Sequence, residues 1–123
     1  MSNTVESLLI RNLRDVFAEH DAERRTAVIE ELFHPDCIFS DPRGRHVGRR
    51  QLDRAIGDLQ SQFPDYVFST IGAADVLEDS GRLAWAFGPD GDPRRITGLD
   101  VVVVSADRIA ALYTFLDPIP PVT

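Results

Sequence analysis

The 123-residue chain contains no lysine, since all 13 of its basic residues are arginines. Imine chemistry through a lysine amine is thereby excluded. One cysteine, Cys37, permits no internal disulfide, so the fold must stand on packing, and a reducing compartment is expected. The three histidines, His20, His34 and His46, are widely spaced and lack cysteine partners, which is not a zinc pattern. No metal and no cofactor are expected. No stretch approaches the ~18 consecutive apolar residues of a membrane span, and the first residues lack the charged and apolar regions of a secretory signal. A soluble, cytoplasmic protein with no membrane contact is the expectation. Positive charge is also short. Against 20 acidic residues the 13 arginines leave a net charge of −7, which argues against a nucleic-acid partner.

What is present is a 43% hydrophobic composition, enough for one core in a chain of this length. A single domain over residues 1–117 is expected, with Pro118 opening a proline-rich tail over 118–123. Val5, Leu8, Leu9, Leu13, Val16 and Phe17 recur at helical spacing, with Asn3 and Glu6 as a capping pair. A second helix opens after Asp21, carries Val28, Ile29, Leu32 and Phe33, and stops at His34-Pro35. A third follows Gly48, with Leu52, Ala55, Ile56, Leu59 and Phe63 as its stripe and Pro64 as its end. Between them Cys37 to Asp41 reads as a short strand ending in the turn Asp41-Pro42-Arg43-Gly44. From Tyr66 onward the pattern is that of strands: Tyr66 to Glu78, Arg82 to Phe87, Arg94 to Val104, and Ile109 to Leu116. Helices first and strands after indicate an α+β fold. Gly88-Pro89-Asp90-Gly91-Asp92-Pro93, with two acids, reads as a hairpin turn rather than a phosphate cradle.

Two acids stand in apolar surroundings. Asp41 follows Ile38 and Phe39, and is either a turn-initiating residue before proline or a functional carboxylate. Asp100 lies between Gly98-Leu99 and the run Val101 to Val104. It is either a solvent-reaching edge or bulge residue, with Gly98 marking the bulge, or a buried acid with a partner or a purpose. Cys37, inside an apolar strand with nothing to lower its pKa, reads as a small core residue. The run Arg43, Arg45, His46, Arg49, Arg50 and Arg54 is either an anion-receiving rim or a solvated surface. His20 is either a proton relay or the polar end of the first helix. Tyr66, Trp85 and Tyr113 are either core or hydrogen-bond donors.

The stretch Leu32-Phe33-His34-Pro35-Asp36-Cys37-Ile38-Phe39-Ser40-Asp41-Pro42-Arg43-Gly44, followed by a helix opened by Gly48, resembles the nuclear-transport-factor-2-like (cystatin-like) superfamily. That superfamily includes SnoaL-type cyclases and ketosteroid isomerases, and the resemblance covers nearly the whole chain. It implies a cone-shaped, curled, mostly antiparallel sheet wrapped by three N-terminal helices. It also implies catalytic roles for Asp41 as the proton-shuttling base and Asp100 as a protonated donor to the developing oxyanion. A base and an oxyanion donor are what proton abstraction beside a carbonyl needs. Phe17 stands where the isomerases carry an oxyanion-hole tyrosine, and Gly98 where limonene-epoxide hydrolases carry an arginine.

On this resemblance the expected site is an apolar cavity lined by Phe17, Phe39, Trp85, Phe87, Val102 and Tyr113. Its ligand would be a small apolar carbonyl compound, and its activity a cofactor-independent isomerisation, cyclisation or dehydration. A homodimer through the open sheet face is the expected assembly. The alternative is a domain of the same fold that binds a ligand, or dimerises, without turnover.

Overall fold

The computed structural model describes residues 4–118. Helix α1 (Val5–Arg11) opens at Thr4, whose side chain accepts from the Ser7 amide while the Ser7 hydroxyl bonds back. This capping box lies one residue beyond the expected Asn3–Glu6 pair, and Asn3 itself falls outside the described residues. The helix then widens into a π-helical segment, Asn12–Phe17, closed by a bond from the Ala18 amide to the Leu13 carbonyl. The wider winding is compatible with burying Leu13, Val16 and Phe17 together.

Helix α2 (Ala22–Leu32) is capped by Asp21 and runs directly into strand β1 (Phe33–Asp41). Its last carbonyls are held by Arg49, which donates to Phe33 O and Glu30 O. A short strand β2 (Gly44–Val47) returns antiparallel along β1, with Phe39 opposite His46 and Asp41 opposite Gly44. Helix α3 (Arg49–Gln62) follows, burying Leu52 and Ile56. Strands β3 (Val67–Leu77), β4 (Ser80–Gly88), β5 (Ile96–Ser105) and β6 (Arg108–Leu116) complete the sheet.

The six strands lie in the order β2-β1-β6-β5-β4-β3, antiparallel throughout except for the parallel pair β1–β6. The sheet is curled and unclosed, with the helices on one face. Register breaks in β1, β3 and β6 bend it, as bulges do. Helix α1 sits directly on β4 at Gly81, where a Cβ would lie 2.7 Å from Val5 and 2.8 Å from Leu9. The core between sheet and helices contains Leu8, Leu9, Ile29, Leu32, Phe33, Leu52, Ile56, Val102, Ile109 and Leu112. Cys37 is buried there and burial pushes its thiol pKa up, as a packing residue would show.

A buried polar clamp ties the helices together. Arg25 on α2 bonds Asp53 on α3 at 2.6 Å, and also donates to Glu19 O and Gln60 Oε1. Gln60 Nε2 in turn donates to the carbonyls of Phe17 and Glu19. The end of the first helix, and with it Phe17, is thereby fixed against α3.

Candidate active site

Between the end of the first helix, α3 and the curled sheet lies a cavity of about 220 Å³. Leu13 and Phe17 enter it from the π-helical segment, Ala55, Asp58 and Leu59 from α3, and Phe39, Asp41, Pro42, Arg43 and His46 from the β1–β2 hairpin. Phe63, Phe68, Trp85, Phe87, Ile96, Asp100, Thr114 and Leu116 complete the wall. The aromatic rings brace one another: Phe17 meets Phe39 edge-on at 5.6 Å, and Phe68 stacks on Phe87 at 4.1 Å and meets Trp85 edge-on at 5.6 Å.

Asp100 is only 4% exposed. It stands in the middle of the sheet, on β5 between β4 and β6, opposite Leu83 and Thr114. No bulge occurs at Gly98, which pairs regularly with Trp85 and Leu116, so the edge-or-bulge alternative does not hold. What Gly98 provides is room: a Cβ there would lie 2.4 Å from Trp85 Cζ2 and 2.4 Å from Phe115 O. The indole can therefore lie over β5, and its Nε1 donates to Asp100 Oδ1 at 3.0 Å. Thr114 Oγ1 donates to the same oxygen at 2.8 Å. None of the described residues bonds Oδ2. Burial raises the Asp100 pKa from its ordinary 3.8 to about 6, the two hydrogen bonds opposing the shift.

Asp41 ends β1 at the cavity mouth and is half-buried. Its Oδ1 accepts from the amides of Arg43 at 3.0 Å and Gly44 at 3.1 Å, so it initiates the turn and also lines the cavity. The two alternatives read for it are compatible.

Of the six expected lining residues, Phe17, Phe39, Trp85 and Phe87 line the cavity. Val102 and Tyr113 do not. Val102 is fully buried in the core, beyond the cavity on the same face as Asp100. Tyr113 is 39% exposed on the opposite face, because a one-residue register shift between Val103 and Val104 pairs Asp100 with Thr114 and Val101 with Tyr113. The arginine run divides: Arg49 holds the end of α2, Arg43 lines the mouth and donates to Gln62, and Arg45, Arg50 and Arg54 are exposed. His20 is exposed and borders a second space of about 210 Å³ behind Phe17 and Phe63.

Thr114 and Phe68 are cavity residues for which local sequence gave little signal, whereas His46, named in the run read as an anion-receiving rim or a solvated surface, does enter the cavity wall. The strand that carries His46 is too short and charged to be read, and Thr114 becomes significant only once the β5–β6 register is known. Among the described residues no helix is long and apolar enough to cross a membrane, and no group of three or more metal-ligating side chains gathers.

Three helices covering one face of a curled, unclosed sheet, with an acid-bearing cavity between them, define the class of cone-shaped α+β domains. Residues 10–112 match the model of the SnoaL-like domain, and the chain belongs to that family. Its fold is similar to that of a proposed isomerase of the SnoaL-like family from Agrobacterium tumefaciens, with 24% identity, a TM-score of 0.85, and coverage of 91% of this chain and 96% of that one. A proposed ketosteroid isomerase from Kribbella flavida matches at 17% identity and a TM-score of 0.70, over 97% of this chain and 83% of that one. A proposed polyketide cyclase from Sinorhizobium meliloti matches at 19% identity and a TM-score of 0.68, over 87% and 92% respectively. No curated protein matches the chain in sequence.

Proposed function

We propose that the protein is a cofactor-independent acid/base enzyme that moves a proton on a small, largely apolar carbonyl compound, with Asp100 as the proton carrier. The carrying observation is a buried carboxyl in the cavity wall with a pKa of about 6, both of whose hydrogen bonds fall on Oδ1. Burial brings this carboxyl up towards the working pH, and a base whose pKa lies near the working pH is the effective kind. That favours Asp100 as base over the protonated-donor role. Asp41, anchored through Oδ1 in its turn, shapes the mouth and offers a second carboxylate there.

In the proposed step a carbon-bound proton beside the carbonyl passes to Asp100 Oδ2. The C–H electron pair becomes the enolate double bond, and the carbonyl π-pair moves onto oxygen. Return of the proton to another carbon gives isomerisation, attack of the enolate carbon on a second carbonyl gives cyclisation, and expulsion of a β-hydroxyl with a proton gives dehydration.

A second reading, ligand binding without turnover, is favoured by one observation. Phe17 brings no donor to the cavity, and Trp85 Nε1 and Thr114 Oγ1 are both engaged by Asp100. We also propose a homodimer through the uncovered sheet face, where Tyr113, Phe115 and Val47 are exposed beside Ile38, Leu99 and Val101.

The deciding experiment is proton–deuterium exchange by NMR at the carbon beside the carbonyl, over a panel of cyclic ketones and diketones. Exchange present in wild type and lost in Asp100→Asn supports the proposal. Exchange lost only in Asp41→Asn moves the proton to Asp41. No exchange from ketones that demonstrably bind supports the binding-only reading.

A further inference from the structure

We infer that His46 is the hydrogen-bond donor to the ligand's oxygen, so that the site selects compounds with an apolar body and one oxygen able to carry negative charge. The inference rests on the proton-transfer reading and names the group that reading leaves unassigned. An enolate forming in a cavity needs a donor aimed at its oxygen, because charge developing away from water is costly unless a fixed dipole meets it.

Few lining side chains can donate. Trp85 Nε1 and Thr114 Oγ1 already donate to Asp100 Oδ1 at 3.0 and 2.8 Å. The two tyrosines are elsewhere: Tyr113 is on the outer face, and Tyr66 borders the second space, its hydroxyl receiving Arg95 at 3.2 Å. Arg43 reaches the mouth, but it is exposed and donates to Gln62 Oε1 at 2.9 Å.

His46 differs from all of these. It faces Phe39 across the β1–β2 pair and stacks on its ring at 5.5 Å and 21°. It lines the cavity, is half-buried, and makes no hydrogen bond or ion pair with any described residue. An imidazole offers an N–H in either neutral tautomer and when protonated. Stacking on Phe39, itself braced by Phe17, holds the ring plane in place before a ligand arrives. The charged groups sharing the mouth are Asp41 and Arg43 from the same hairpin and Asp58 from α3.

The test compares 2-naphthol, a phenol whose oxygen stands in for an enolate, with naphthalene, which lacks the oxygen. Binding is followed by the indole N–H resonance of Trp85, the chain's one tryptophan. Wild type is expected to bind 2-naphthol more tightly than naphthalene. His46→Phe, which keeps a ring against Phe39, should weaken 2-naphthol roughly tenfold, as loss of one hydrogen bond does, and leave naphthalene within about twofold. His46→Gln, which restores an N–H, should recover part of the loss. Equal weakening of both ligands, unchanged 2-naphthol binding in His46→Phe, or no preference for 2-naphthol in wild type would each overturn the inference. Exchange dependent on Asp100 alongside unchanged naphthol binding in His46→Phe removes this inference alone. Selective naphthol loss with no exchange from any ketone removes turnover and leaves His46 as the binding determinant.

Discussion

The burial of Asp100 predicts a stability profile that a single substitution should erase. The folded protein holds the Asp100 proton to about pH 6, whereas the unfolded chain releases it near the ordinary 3.8. Below the lower value both states are protonated and the contribution to stability is fully present. As pH rises the unfolded chain ionises first, so stability is lost progressively and the loss is complete above about pH 6. A gap of that size corresponds to about 3 kcal/mol. Asp100→Asn keeps an oxygen for Trp85 and Thr114 and removes the titration. The stability of Asp100→Asn minus that of wild type should therefore rise by about 3 kcal/mol between pH 3.5 and 7 in urea unfolding. Other carboxylates slope the opposite way. Asp15 is held below its ordinary range by Arg14 and Arg11, and Glu31 by Arg11, so each loses stabilisation as pH falls. Those exposed contributions are present in both proteins and cancel in the difference. Trp85 gives an independent reading, because its indole N–H ends on the titrating carboxyl. Its emission should step near pH 6 in wild type and not in Asp100→Asn. Parallel stability curves, or a step near pH 4, would refute the claim that burial dominates at Asp100.

Three further outcomes follow from the packing. Gly98→Ala should cost about 3 kcal/mol and shift the Trp85 indole resonance, since the added methyl meets both the Trp85 ring and the Phe115 carbonyl; urea unfolding and the NMR spectrum check this. Arg25→Met should cost about 3 kcal/mol by leaving the partly buried Asp53 with only its Thr26 hydrogen bond and no countercharge, and adding Asp53→Leu should recover part of that loss in the same assay. Phe115→Glu, at a residue 57% exposed on the open sheet face, should leave the fold intact and give a monomer by sedimentation equilibrium if the proposed dimer forms there.

Periodicity made the three helices and four long strands legible, because an amphipathic element repeats its core contacts locally. It did not reveal β2, whose four residues include Arg45 and His46 and owe their strand form to pairing with β1. Nor did it reveal the π-helical segment, since Leu13, Val16 and Phe17 fit an ordinary helical stripe as well. The placement of Tyr113 shows the limit most sharply. Counting outward from the turn pair Ser105 and Arg108 would set Asp100 opposite Tyr113, in the cavity. The register shift between Val103 and Val104 moves every later pair by one, so Thr114 meets Asp100 and Tyr113 turns outward. A single extra residue thus exchanges a phenol for a threonine beside the buried acid, and no local pattern encodes it. Asp100 itself was visible because an acid beginning four valines conflicts with its surroundings.

The strength of the base also limits which carbon acids the site can serve. A turnover of about one per second allows a total barrier of about 17 kcal/mol, and each unit by which the carbon acid's pKa exceeds that of the base takes about 1.4 of it. With a base near 6, a gap of more than about twelve units would consume the whole barrier before any kinetic contribution. One charge-assisted bond from His46 to the oxygen would offset roughly one to two units. Phe17, which also lines the cavity, brings no donor. The arithmetic therefore favours carbons activated twice over, between two carbonyls or beside a conjugated one. In the exchange experiment, cyclic 1,3-diketones should exchange readily with wild type, while simple cyclic ketones that bind equally well should exchange slowly or not at all. Equal catalysed exchange from both classes would mean that the oxygen is stabilised far more strongly than one imidazole allows, and would refute the assignment of a weak base with a single donor.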